Sequence, residues 1–89
     1  MTGSAPSPDP TAIAAEIVRL ASERGPTRSI CPSEVARSLA PEDWRPLMGP
    51  VRQAAVALTR DGRLDILRKG KPIDPAALRG VIRLRIREP

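Results

Sequence analysis

The stretch from Val51 to Ile86 reads VRQAAVALTR DGRLDILRKG KPIDPAALRG VIRLRI, and it decides the fold. Val51, Ala55 and Leu58 recur at helical spacing and the run stops at Arg60-Asp61-Gly62-Arg63-Leu64, where Gly62 ends the helix. Leu64 and Ile66 then alternate with Asp65 and Leu67. Ile82, Leu84 and Ile86 alternate with Arg83, Arg85 and Arg87, which is strand spacing with three aliphatic side chains on one face and three guanidiniums on the other. The two strands are joined by a loop carrying Lys69-Gly70-Lys71. Inside it, Asp74-Pro75-Ala76-Ala77-Leu78-Arg79-Gly80 supplies an Asp cap, a Pro at the first helical position and a Gly exit, so one helical turn is predicted there.

Upstream of this segment the same signals recur. Asp9 is the expected N-cap of a first helix with Pro10 at its first position; Ile13, Ile17, Leu20 and Ala21 form its apolar stripe, and Gly25-Pro26 stops it. Thr27-Arg28-Ser29-Ile30 reads as a short strand. A second helix opens at Cys31-Pro32-Ser33-Glu34, with Glu34 near the positive end of its dipole and Ile30 and Val35 placed as a hydrophobic staple. Ala40-Pro41 ends it. Trp44, Leu47, Met48, Val51, Ala55 and Leu58 keep one apolar face across Gly49-Pro50, which predicts a short turn over 42–47 and a third helix over 50–60 with Pro50 first. Residues 1–8, small and Pro-rich, read as a disordered lead-in, and 9–89 as one domain. The order helix, strand, helix, helix, strand, strand is α+β, mainly α, and has the topology of a winged helix-turn-helix.

A chain of 89 residues buries only about 60–65% of its unfolded surface. With Trp44 its one aromatic residue, the core must be aliphatic. Cys31 is alone, so no disulfide framework exists and a reducing cytoplasm fits. No run approaches the roughly 18 apolar residues that span a bilayer, and no membrane partner is expected. Charge is uneven. Residues 1–51 hold five Arg and six acids, and residues 52–89 hold ten basic residues and four acids, so the net charge of +5 comes entirely from the second part. Such asymmetry attracts phosphate backbones, although a solvated Arg-rich surface from a GC-rich coding sequence would look the same.

The block Ile30-Cys31-Pro32-Ser33-Glu34-Val35-Ala36-Arg37, followed by Trp44-Arg45, Met48, Val51-Arg52, Gly62, Asp74-Pro75, and Arg79-Gly80 through Ile82-Arg83-Leu84, resembles a bacterial family of short single-domain proteins. That family is catalogued as a domain of unknown function and regarded as winged-helix-like. The resemblance covers roughly residues 12–87 and implies the fold; it implies no activity.

Enzymatic chemistry is not expected. With no His there is neither the usual neutral-pH base nor an imidazole metal ligand. Glu16 and Glu23 fall on the polar side of the first helix, and the glycines at 49, 62, 70 and 80 serve turns rather than a phosphate loop. No cofactor and no metal follow. Cys31 has two readings, a thiolate favoured by the helix dipole with Arg28 or Arg37 nearby, or a small side chain packed beside Ile30; the second is expected. Trp44 is expected to plug the core between helices two and three, with base stacking as its alternative.

Nucleic-acid binding, weak or non-specific and directed at double-stranded DNA, is the leading expectation. The third helix of such a fold enters the major groove, and its outer side offers Arg52, Gln53 and Arg60, with Arg45 just before it. Val56 falls among these reading positions. Arg68, Lys69 and Lys71 on the wing would meet backbone phosphate. Arg83 and Arg85 either add to this or pair across the ribbon with Asp65. The alternative is a non-catalytic protein-interaction module using the same fold, and an RNA- or ribosome-associated factor is a third option. Ala14 and Val18 are too few to make an interface on the first helix.

Overall fold

The computed structural model describes residues 8–87; apart from Pro8, the lead-in expected over 1–8 lies outside them. Helix α1 runs Pro10–Arg24. Asp9 is extended and its Oδ1 accepts from the Ala12 N–H at 2.7 Å, while the Gly25 N–H closes the other end on the Ala21 carbonyl at 3.0 Å. Ile13, Ile17 and Ala21 are its buried positions, the predicted stripe with Leu20 at its margin.

Helix α2 spans Pro32–Leu39. The Glu34 carboxylate reaches back to the Cys31 N–H at 2.9 Å, and Ile30 and Val35 are both fully buried in one cluster, as a staple requires. The expected strand over 27–30 contracts to one residue. Ile30 exchanges two hydrogen bonds with Leu84, each 2.8 Å, whereas the Arg28 N–H is already committed to the Gly25 carbonyl in the turn leaving α1. Between that turn and Pro32 only Ile30 is free to pair.

A 3-10 turn at Arg45–Leu47 leads directly into α3, Met48–Arg60. The helix starts two residues before the predicted position. Pro50 is its third residue, which costs no hydrogen bond because the first four N–H groups of a helix have no internal acceptor. Val51, Ala54, Ala55 and Leu58 face the core. The exit is a Schellman motif: the Gly62 N–H bonds the Thr59 carbonyl and the Arg63 N–H bonds the Leu58 carbonyl, both at 3.0 Å, with Gly62 at φ +79°.

The sheet is antiparallel with strand β1, Leu64–Arg68, in the middle. On one side lies β2, Lys71–Pro72, and on the other β3, Arg83–Ile86. Register places Asp65 opposite Arg85 and Ile66 opposite Leu84. Lys71, expected in a loop, is therefore in a strand paired with Arg68, and the connection is the two-residue turn Lys69-Gly70. Both residues have positive φ, +53° and +82°, as in a type I′ hairpin turn. The helical turn expected after Asp74 is present as a 3-10 turn over Pro75–Ala77, with Asp74 Oδ1 accepting from Ala76 at 2.8 Å.

Three helices and this small sheet enclose one aliphatic cluster, and the arrangement is an α+β winged helix-turn-helix. Ile13 and Ile17 of α1, Val35 of α2, Val51 of α3, Leu64 and Ile66 of β1 and Leu84 of β3 are all within 1% of complete burial. Each such side chain contributes about 1.5–3 kcal/mol on leaving water. Among the described residues no polar side chain is buried, so all charge is displayed at the surface. Among the described residues no helix is long and apolar enough to cross a membrane.

Candidate nucleic-acid interface

The buried side of α3 dictates what its other side can show. With Val51, Ala54, Ala55 and Leu58 turned inward, the outward row is Gly49, Gln53, Ala57 and Arg60, all exposed. Gln53 and Arg60 are therefore the only polar side chains that α3 exposes fully. Val56 is not among them: it is half-buried and packs on the core. Thr59 is half-buried too, its hydroxyl donating to the Ala55 carbonyl at 2.8 Å.

Arg52 sits on the shoulder of α3, half-buried, and its Nη2 donates to the Gly80 carbonyl at 3.0 Å. Arg68, ending β1, directs Nη1 toward the Arg79 carbonyl at 3.5 Å. Two guanidiniums from different elements thus reach two successive loop carbonyls, those of the exposed Arg79 and of Gly80. Sequence reading missed Arg79; its place next to Gly80 at a loop exit was the available signal. Lys69 and Lys71 are exposed at the hairpin tip and pair with no carboxylate among the described residues. The Asp74 carboxylate, whose Oδ1 accepts the Ala76 N–H at 2.8 Å, lies in the same loop and sets a negative charge against the cluster.

Arg45 is separated from this group and engaged elsewhere. Its guanidinium lies over the Trp44 ring, 4.7 Å from the centroid, and Arg37 of α2 lies over the same ring at 4.4 Å. Trp44 is half-buried, with the ring packed against the core cluster. A base seeking to stack there would have to displace a cation.

The row of three guanidiniums on β3 and the residue after it divides. Arg85 and Arg87 both turn onto Asp65, with Arg85 Nη2 3.1 Å from Oδ2 and Arg87 Nε 3.1 Å from Oδ1. Burial pushes the Asp65 carboxyl up, but the hydrogen bonds and charges of Arg87 and Arg85 outweigh it and hold the group below the usual carboxylate range. Arg83 turns away, Nε to Ser29 Oγ and Nη2 to the Ser29 carbonyl, both at 2.9 Å. Cys31 is half-buried beside it in sequence, and Ser33 Oγ donates to its Sγ at 3.1 Å.

A family model described as "Protein of unknown function (DUF3253)" matches residues 10–87. The chain belongs to that family. The matched DUF3253 segment runs from the first residue of α1 to just beyond β3, so it takes in the whole domain, including the shoulder of α3 and the hairpin tip. No curated protein matches the chain.

Proposed function

We propose that the chain is a binding module for double-stranded DNA, acting through the hairpin tip and the outward row of α3. The observation that carries this reading is the tip itself. Arg68, Lys69 and Lys71 crowd three cations into four residues, unpaired with any carboxylate among the described residues, and Lys69 stands in a left-handed conformation that suits Asn or Gly far better. Arg52 and Arg79 extend the charge toward α3. Recognition is mostly of backbone phosphate, because only Gln53 and Arg60 face outward from the helix to address base edges. The module has no catalytic role: the chain has no His, and the carboxylates of Glu16, Glu34 and Asp65 each accept hydrogen bonds from arginine. We place it in a bacterial cytoplasm, where a lone thiol such as Cys31 stays reduced.

The test is a titration of a fluorescent duplex across salt concentrations. Log affinity should fall linearly with log salt by about 0.9 per phosphate neutralised, and Lys71→Ala should lower that slope by about one contact. Absence of binding at about 50 mM salt, the low end where such contacts count, would overturn the reading. A protein-docking role is the second reading. It is favoured by an apolar groove of about 720 Å³ between α1 and α3, floored by Ile13, Ala14, Ala54 and Leu58. Of the two first-helix residues weighed for an interface, Ala14 lines this groove and Val18 does not, and the α3 half of the wall is nonlocal in sequence.

A further inference from the structure

Three guanidiniums that the duplex reading does not use meet at the opposite end of α1. Arg24 from the last turn of that helix, Arg28 from the following loop and Arg83 from β3 line, with Ser29, a shallow basin of about 440 Å³. Arg24 and Arg83 grip the same carbonyl, that of Ser29, at 2.9 Å each, so two like charges are held close by one acceptor. Arg24 also donates to Glu34 at 2.7 Å, the one carboxylate among the described residues that pairs with any member of the group.

The donors are far from exhausted. A guanidinium has five N–H groups, and Arg24 and Arg83 each direct only two at protein acceptors. Arg28 is exposed and donates through its side chain to nothing among the described residues. Ser29 Oγ accepts from Arg83, which leaves its own proton free to be donated. Fold stability accounts for Arg24 and Arg83, which tie the 25–30 loop to α2 and β3. It does not account for Arg28.

We propose that Arg24, Arg28, Arg83 and the Ser29 hydroxyl form a phosphate-binding site. Three guanidiniums against Glu34 leave an excess of two positive charges, which matches the dianion of inorganic phosphate or of a phosphate monoester better than a singly charged phosphodiester. Arg28 keeps its whole planar fork for a tetrahedral oxyanion, and Arg24 and Arg83 add their uncommitted N–H groups. The site goes beyond duplex binding by the hairpin tip and does not depend on it.

The experiment is a heteronuclear NMR titration of the full chain with inorganic phosphate, set against chloride at equal ionic strength. Phosphate should move the Arg28, Ser29 and Ile30 amides saturably, and Arg28→Ala should weaken that binding about tenfold or more, the loss of one charge-assisted pair. Arg28→Ala removes no side-chain hydrogen bond or ion pair among the described residues, so its fold persists, and Arg63→Ala, outside the basin, should leave the affinity unchanged. Dimethyl phosphate serves as the diester arm: much weaker binding is expected of a site matched to a dianion, and equal binding would overturn that match. Shifts that match those in chloride, fail to saturate, or are indifferent to Arg28→Ala would show that no phosphate site exists.

Discussion

Lys69 occupies the first central position of the hairpin turn at φ +53°, where an L side chain with a branched-off Cβ meets the following carbonyl at a cost of about 1–2 kcal/mol. Asn tolerates this conformation because its short polar side chain bonds locally, and Asn-Gly is the preferred pair for a type I′ turn. Lys69→Asn should therefore raise unfolding stability by about 0.5–1 kcal/mol, measured as a higher urea midpoint at unchanged slope. The same substitution should weaken duplex binding. A variant that gained stability with affinity intact would mean that Lys69 is no phosphate ligand. Other single residues were readable only in part. Asp65 was weighed as a partner for Arg83 and Arg85, and the register settles on Arg85 directly opposite and Arg87 diagonal, with Arg83 drawn to Ser29. Nothing in local spacing places residue 83 against residue 29, so the basic basin could not be read before the fold was known.

At the scale of elements, helices were legible because their ends are written locally. Asp9-Pro10 and Asp74-Pro75 each supply a side-chain acceptor and a residue with no N–H, and both begin helical turns where expected. Strands were less so. Strand β2 is two residues long and one of them is Pro72, which has no N–H to donate, so no periodicity announces it. The strand over 27–30 had the composition, but its Arg28 N–H is taken by the Gly25 carbonyl and its Ser29 carbonyl by Arg24 and Arg83. The junction of α3 and β1 rests on Gly62, whose φ of +79° permits the Schellman pair. Its Cβ position would meet only Arg87 Nη1 at 3.6 Å, an ordinary contact, so the penalty for Ala there is conformational rather than steric. Gly62→Ala should cost about 1 kcal/mol, and calorimetry should show a melting temperature lower by roughly 4–8 °C, as scaled for a domain of this size. An unchanged melting temperature would mean that the exit has relaxed into another cap.

The whole molecule is a small aliphatic core with its charged side chains outside it, and its response to acid follows from that division. The Glu16 carboxylate accepts from Arg19 on α1 and from the Ser38 hydroxyl on α2, which bring its pKa down to about 2. Glu34 and Asp65 also lie below their ordinary values: burial raises both, and arginine and backbone hydrogen bonds more than offset it. A carboxyl whose folded pKa is depressed stabilises the fold above its unfolded pKa and loses that contribution as pH falls through the folded value. Stability should thus decline from about pH 4.5 toward pH 2, and Glu16→Gln should remove roughly 1–2 kcal/mol of that decline, discounted for the exposure of Arg19. Urea melts of both chains across that window check it; parallel curves would assign the acid response to other groups. The sign of the net charge was plain from composition, whereas its division into a hairpin tip, an Asp65 clasp and a basin at Ser29 depends on tertiary contacts.

Trp44 gives the domain a built-in optical probe. It is the sole aromatic side chain and is half-buried at the α2–α3 junction with the Arg37 and Arg45 guanidiniums over its ring, so all indole emission arises from one defined environment. Unfolding exposes that ring and strips away both cations, and a ligand that drew either arginine aside would change the emission while the fold stayed intact. No label is needed to tell these events apart: a chemical denaturant moves the spectrum cooperatively, and a bound polyanion moves it along a saturation curve.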